Sequence, residues 1–334
     1  MTISKRPLFL LLVLLCLYHT NALCQRKSSP LAGKTICLDA GHGGTALTDS
    51  YRVGPTGERE EWINLRVALL LQKMLEESGA TVLMTRLTDE NVPFDDRIQL
   101  ATENKADVFI SVHHNATADT AVNFPIIYYH GNASENKGSI ALGKLLAKEL
   151  SNHLYTEAPP ATLVSDHAIF PSAGAKVLRG TYGIPGVIAE ASFFTNPAEE
   201  SRLKDDAHNR KEAQAYVAAL EIFFSKPVPG IASKNSIVTL PPFKVFQEAE
   251  RVDGTALLWH QDYVKGSELM KSKDKQTLQQ AYDLLTRSVR SFPDSYLAAQ
   301  CHLNRAHVLK KLGNRKEANE ERRRAKEFYV VLGK

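Results

Sequence analysis

The stretch Ile36-Cys37-Leu38-Asp39-Ala40-Gly41-His42-Gly43-Gly44 opens on three apolar residues and closes on a histidine set among glycines. Two later runs have the same shape: Val108 to Ser111 leads to His113, and Val187-Ile188-Ala189 leads to Glu190. Short apolar runs of this kind read as buried strands. In an open α/β sheet the carboxyl ends of the strands share an edge, and ligands bind in the crevice outside it. The pattern therefore brings His42, His113 and Glu190 together across long sequence distances. Glu60 joins them from the first turn of a helix, because Ile63, Val67, Leu70 and Met74 recur at the spacing of one helical face.

Strand and helix signals alternate from Thr35 to Phe224, which predicts an α/β domain over residues 34–225 built on a mainly parallel twisted sheet flanked by helices. Strands are expected near residues 35 to 38, 81 to 85, 108 to 113, 126 to 129 and 186 to 190. Further helices fit Arg97 to Asn104, Ser139 to Asn152, and Ala207 to Phe224, where Ala213, Val217, Leu220 and Phe224 make an inward stripe. The stretch from Pro159-Pro160 to Ala173 reads as a loop, in which Asp166 and His167 are candidates for substrate contact or gating.

A linker over residues 226–245, marked by Pro227, Pro229, Gly230 and Pro241-Pro242, is expected to separate two cores. Residues 246–334 predict an all-α domain that resembles tetratricopeptide helix pairs through Ala281, Tyr282, Pro293, Ala306, Leu309 and Leu312-Gly313. Such arrays use about three units and fewer fit here, so a plain helical bundle is the competing reading. The basic run Arg322-Arg323-Arg324 with Lys326 interleaves with Glu317, Glu320, Glu321 and Glu327, the pattern of a solvated mixed-charge face.

With 334 residues, 43% of them apolar and 23% charged, the chain suits two folded units of soluble globular type. Lys5 and Arg6, the apolar run Leu8 to Leu17 and then Thr20-Asn21-Ala22 read as a secretory signal peptide over residues 1–22. The apolar run falls short of the about 20 residues that span a bilayer. Residues 23–33 form a polar segment, and the expected location is exported and periplasmic. A lipid anchor on Cys24 is the alternative, against which Asn21 and Leu23 stand upstream. Removing Lys5 and Arg6 lowers the formal charge from +4 to +2, too weak to imply a nucleic-acid partner. The four cysteines outline no disulfide framework.

Two neutral imidazoles and one carboxylate are a common ligand set for catalytic zinc, leaving the fourth position open to water. His42, Glu60 and His113 would supply that set for one Zn2+ ion, which brings the pKa of a bound water to about 7. Glu190 remains as a proton carrier. Singly each residue also has a structural reading: a half-buried histidine, or a carboxylate set against the helix dipole at Glu60.

The string from Leu38 to Gly44 resembles the opening motif of the zinc-dependent N-acetylmuramoyl-L-alanine amidases, the bacterial cell-wall amidases of the type 3 class. Glu60 ahead of Asn64-Leu65, then Ser111-Val112-His113-His114-Asn115-Ala116, then Val187-Ile188-Ala189-Glu190 with Phe193-Phe194-Thr195-Asn196, follow the family's order over roughly Lys34 to Phe224. The resemblance implies zinc on His42, Glu60 and His113, and Glu190 as catalytic acid and base. It also implies peptidoglycan as substrate, cut at the amide between N-acetylmuramic acid and L-alanine. His114 stands where the family commonly has a small residue; strand alternation lets one of the adjacent imidazoles face a shared metal, and the motif register selects His113. Asp39, Glu61 and Asn115 lie nearby with contacts unassigned, and no insertion covering the metal is evident between His113 and Glu190. The rival readings are a zinc peptidase acting on stem peptides and a noncatalytic wall scaffold. The helical region is expected to dock an envelope protein.

Overall fold

The computed structural model describes residues 29–49, 52–233, 240–251 and 254–332; the signal-peptide reading, with Cys16 and Cys24, falls outside them. In chain order, β1 (Thr35–Ala40) leads through a glycine-rich loop to α1 (Glu60–Glu77), β2 (Thr81–Met84), α2 (Phe94–Glu103), β3 (Val108–Asn115) and β4 (Ile126–Tyr129). Then come α3 (Lys137–Leu154), β5 (Thr162–Ser165), α4 (Lys176–Gly180), β6 (Gly186–Phe193), α5 (Pro197–Leu203) and α6 (Asp206–Phe224). The remainder is α7 (Glu248–Arg251), α8 (Trp259–Leu269), α9 (Lys275–Ser291), α10 (Ala298–Lys311), α11 (Arg315–Phe328) and β7 (Tyr329–Val330). Polar residues start several helices by accepting a backbone N–H, as Asn136 does for α3, Asp205 for α6 and Asp274 for α9.

The strands form one mixed sheet in the order β2-β1-β3-β6-β4-β5-β7. Pairings from β2 through β6 are parallel, as is β4 with β5, whereas β4 runs antiparallel to β6 and β7 to β5. The carboxyl ends of β1, β2, β3 and β6 therefore share one edge, and those of β4 and β5 open on the opposite edge. β5 lies inside the stretch read from sequence as a loop; four residues are too few for a period to declare itself.

Alternation along the strands divides the core in two. Ile36, Leu38, Ile110, Val112, Ile127 and Val187 face a layer made by α1, α3 and α6. Cys37, Phe109, Ile126, Tyr128 and Ile188 face the other way, into a cluster with Leu285, Val289, Phe292, Cys301 and Val308 of the C-terminal helices. This corrects the expectation that the linker separates two cores. A mostly parallel sheet needs both faces covered, α2 and α4 are too short to do so, and the C-terminal helices supply the rest. They are pinned by polar contacts as well: Tyr128 Oη donates to Asp294, and Tyr129 Oη donates to the Glu327 carbonyl at 2.9 Å. β7 then extends the sheet, with Leu163 opposite Val330.

The basic run is only half solvated. Arg322, Arg323 and Lys326 are exposed, but Arg324 and Glu321 are buried, and Glu321 accepts hydrogen bonds from His302 Nδ1 at 2.5 Å and Arg305 Nε at 3.1 Å. Cys37 and Cys301 are free and buried, and burial pushes each thiol up to about 12.

Candidate active site

The loop after β1 carries His42 in the left-handed region, at φ 59°, where residues other than glycine are uncommon. Two arginines hold it there through backbone carbonyls. Arg86 donates to Ala40 O at 2.7 Å and to Gly41 O at 2.9 Å; Arg97 donates to Ala40 O at 3.0 Å and His42 O at 2.7 Å. Arg97 is itself fixed by Asp39, whose Oδ1 accepts from it at 2.7 Å and whose Oδ2 accepts from Ser111 Oγ at 2.6 Å. Burial opposes the Asp39 charge, but Arg97 and Ser111 prevail and hold the carboxyl below its usual range. Gly41 is required for space: a Cβ there would lie 2.2 Å from His113 Nε2.

His42, Glu60 and His113 converge, each offering a donor atom within 4.8 Å of the others. Glu60 bridges the pair, with Oε2 3.1 Å from His42 Nε2 and Oε1 2.9 Å from His113 Nδ1, and the two rings meet edge to face at 4.7 Å. Asn64, one turn along α1, donates to Glu60 Oε1 at 3.2 Å and to Gly41 O at 3.3 Å. A buried carboxylate flanked by two imidazoles, with a glycine cradle around one of them, fits a divalent ion of the zinc class by donor chemistry.

His114 is not part of this group. It is fully buried on the other face, with Nδ1 2.9 Å from Asn64 Oδ1 and Nε2 3.0 Å from Glu212 Oε2. Both neighbours are acceptors, so both ring nitrogens donate and neither has a lone pair for a metal. Burial opposes that charge, but Glu212 prevails and raises the pKa above its ordinary value.

Glu190 stands directly opposite His113 in the β3–β6 register, just before a shift in that register between His113 and Asn115. Bulges of this kind recur beside active sites, where they re-aim side chains. Glu190 Oε2 is buried and has no hydrogen-bond partner among the described residues. Burial, then the Glu60 carboxylate, push its carboxyl well above the usual range. A carboxyl in a cleft, perturbed by desolvation and by a specific neighbour, is a candidate for acid–base function.

These groups line a cleft of about 920 Å³. Three of its lining residues, Phe246, Gln247 and Arg251, come from the C-terminal part. They were not legible as site residues, because no local pattern ties a segment beyond the prolines to the strand ends. Arg251 is fixed by Asp294, whose carboxylate accepts from it at 2.7 Å and 3.0 Å. Arg86 was missed too, although it lies two residues beyond β2 on the same edge as His42. Of the polar groups left unassigned, Glu61 accepts from Arg59 Nε at 2.6 Å and Asn115 Oδ1 accepts from Ala116 N at 2.8 Å. Asp166 and His167 do not line this cleft, because β5 delivers them to the opposite edge of the sheet.

Residues 36–222, more than half of the chain, match the family described as N-acetylmuramoyl-L-alanine amidase. The chain belongs to that amidase family. Over 212 residues it is 34% identical to the probable cell wall amidase LytH of Staphylococcus epidermidis, a match covering 62% of this chain. Over 213 residues it is 32% identical to LytH of Staphylococcus aureus. In each case the chain spans 66% of the relative's length. The amidase domain also superposes on N-acetylmuramoyl-L-alanine amidase AmiC2 of Nostoc punctiforme, with TM-score 0.50 and 22% identity over 58% of this chain and 99% of that one. An N-acetylmuramoyl-L-alanine amidase from Clostridium difficile 630 gives TM-score 0.51 and 23% identity over 58% and 98% of the two chains. At these identities the two structures speak to the fold alone.

Proposed function

We propose that this protein is a zinc-dependent hydrolase that cuts the amide joining the lactyl group of N-acetylmuramic acid to L-alanine in peptidoglycan, in wall remodelling or separation of daughter cells. The observation that carries the reading is the meeting of His42, Glu60 and His113 beside Glu190, a half-buried residue whose Oε2 is buried with no hydrogen-bond partner among the described residues. Family membership and the cell-wall name of the staphylococcal relatives support the substrate.

His42 through Nε2, His113 through Nδ1 and the Glu60 carboxylate would hold the ion. When bound, Zn2+ polarises a carbonyl and makes hydroxide available near neutral pH. Glu190 takes the proton released by the attacking water and delivers it to the departing amide nitrogen, so one carboxylate serves both halves of the reaction. For the base step Glu190 must be ionised, a form that the charge of an ion held by His42, Glu60 and His113 would favour. Arg86 and Arg97 keep the His42 loop in place throughout.

Export to the periplasm forms part of this proposal, supported by Lys5, Arg6 and the apolar run that follows. Docking of an envelope protein on the helical segment is supported by its helix-pair packing and by exposed Tyr296 and Leu303. Substituting both exposed residues should reduce crosslinking to that partner without changing hydrolysis of free fragments. The reading as a whole is tested by mass spectrometry of muropeptides digested with and without a chelator. Metal-dependent release of an intact stem peptide beginning with L-alanine is expected; cleavage inside the peptide would make the enzyme a peptidase.

A further inference from the structure

β4 runs Ile126-Ile127-Tyr128-Tyr129 into His130, and β5 runs Thr162-Leu163-Val164-Ser165 into Asp166-His167. Both strands end at the sheet edge opposite the cleft that holds Glu190. There the donor atoms of His130, Asp166 and His167 lie within 4.8 Å of one another. We propose that these three residues form a second metal site, for one divalent cation of the zinc class.

The chemistry of the donors is the first support: two imidazoles and one carboxylate, the set that suits zinc and leaves a coordination position open. Burial is the second. Asp166 is 0% exposed and His130 4%. Asp166 Oδ2 lies 2.7 Å from His130 Nδ1 and accepts from Ala175 N at 2.8 Å, while Asp166 Oδ1 is buried with no hydrogen-bond partner among the described residues. A buried carboxylate oxygen left without a partner is costly, and a cation is one of the few groups that compensates it. His167 is partly exposed and gives the ion a route from solvent.

The backbone around the three donors is held before any ion arrives. Asn136 Nδ2 donates to His130 O at 2.9 Å, Ser165 Oγ accepts from His167 N at 3.3 Å, and Asp166 O accepts from Phe170 N at 2.8 Å. Gly174 closes over the cluster at φ 71°, and a Cβ there would lie 2.5 Å from Asp166 Oδ2 and 2.6 Å from His130 Nδ1. Preset donors of this kind are what metal affinity requires.

The position gives the ion a role. Gly174, Ala175, Lys176 and Val177 form part of the catalytic cleft wall, so the segment that closes over this cluster also shapes the cleft. The His167 ring stacks on Phe328 at 5.7 Å, at the end of α11. An ion here would tie the cleft wall and the C-terminal helix to the same sheet edge.

The test is zinc content of the full-length protein, stripped with a chelator, reloaded with Zn2+ and desalted, beside His42→Ala and His167→Ala variants. The wild type is expected to retain two ions per chain, and each single variant one. Wild-type zinc content in His167→Ala would overturn the proposal, as would a His42→Ala protein that binds none. Co2+ loading of His42→Ala provides a second readout that does not depend on the stability of the His167 variant. The absorption bands of four-coordinate Co2+ are expected, and their absence would overturn the assignment. Loss of the cleft site alone would appear as an unchanged zinc content on mutating His42, so failure of the amidase reading and failure of this one are separable.

Discussion

Gly41 is fixed by its neighbour across the cleft. A methyl group there would occupy the space of the His113 ring, 2.2 Å from Nε2. Gly41→Ala is therefore expected to displace His113 and sharply lower zinc content while far-ultraviolet circular dichroism stays native; wild-type zinc in that variant would contradict the cradle. Glu190→Gln separates binding from chemistry. It should retain zinc and lose about 100-fold or more in turnover, the usual contribution of a positioned acid–base group, and near-normal turnover would remove Glu190 from the mechanism. Away from the cleft, burial opposes ionisation of Glu199, but hydrogen bonds from His208 at 3.2 Å and from Arg202 prevail and hold its carboxyl at about 2. With the folded value below the unfolded one, this group stabilises the protein above the unfolded pKa and the contribution fades as pH falls from about 5 to about 2. Urea midpoints should fall across that window, and Glu199→Gln should flatten the fall. The four central site residues were legible because each follows a short apolar run or opens a helix, although β3 and β6 continue past His113 and Glu190 to Asn115 and Phe193. Arg86 was not, since its work is done through backbone carbonyls that no motif records, and Asn64 stood in the motif without a role until its contacts with Glu60 and Gly41 gave it one.

For α1, periodicity identified the helix but set its inner face one position early. Ile63 and Val67 are fully buried as expected, yet the stripe continues through Ala68, Leu71 and Leu75, with Leu70 and Met74 only partly covered. The helix packs against the sheet and α6 at once, so its buried arc is wider than a single stripe and is rotated toward both neighbours. The same happens in α6, where Tyr216, Ala219 and Phe223 are buried and Val217 and Phe224 are partly exposed. Leu71→Ala should accordingly cost about 2–5 kcal/mol, the range for a fully buried leucine, and Leu70→Ala clearly less. Equal losses in thermal or urea denaturation would restore the face inferred from sequence. Long helices and apolar strands were legible because their patterns are local. The antiparallel entry of β4 beside β6 and the addition of β7 depend on pairings between distant segments, which no local period encodes.

At the scale of the molecule, the prolines between the two regions read as a boundary, and the chain does turn there, but the hydrophobic effect acts across it. Cys37, Phe109, Tyr128 and Ile188 of the sheet share a cluster with Leu285, Phe292, Cys301 and Val308 of the helices. Ending the chain near Pro229 would uncover that face, remove β7 from the edge of β5 and take Phe246, Gln247 and Arg251 out of the cleft. It would also leave Tyr128 without Asp294, the acceptor of its buried hydroxyl. Each large buried side chain exposed forfeits about 1.5–3 kcal/mol, and several together exceed the about 5–15 kcal/mol that holds an ordinary domain folded. The truncated protein is therefore expected to aggregate or to bind a hydrophobic dye with loss of near-ultraviolet circular dichroism, and to lose hydrolysis even where zinc remains. A monomeric, cooperatively melting fragment with full activity would mean that the amidase domain stands alone and the helices only decorate it. Arg251→Ala in the full chain divides the two contributions: a fall in turnover at nearly unchanged melting temperature would place the C-terminal part in substrate handling as well as in the core.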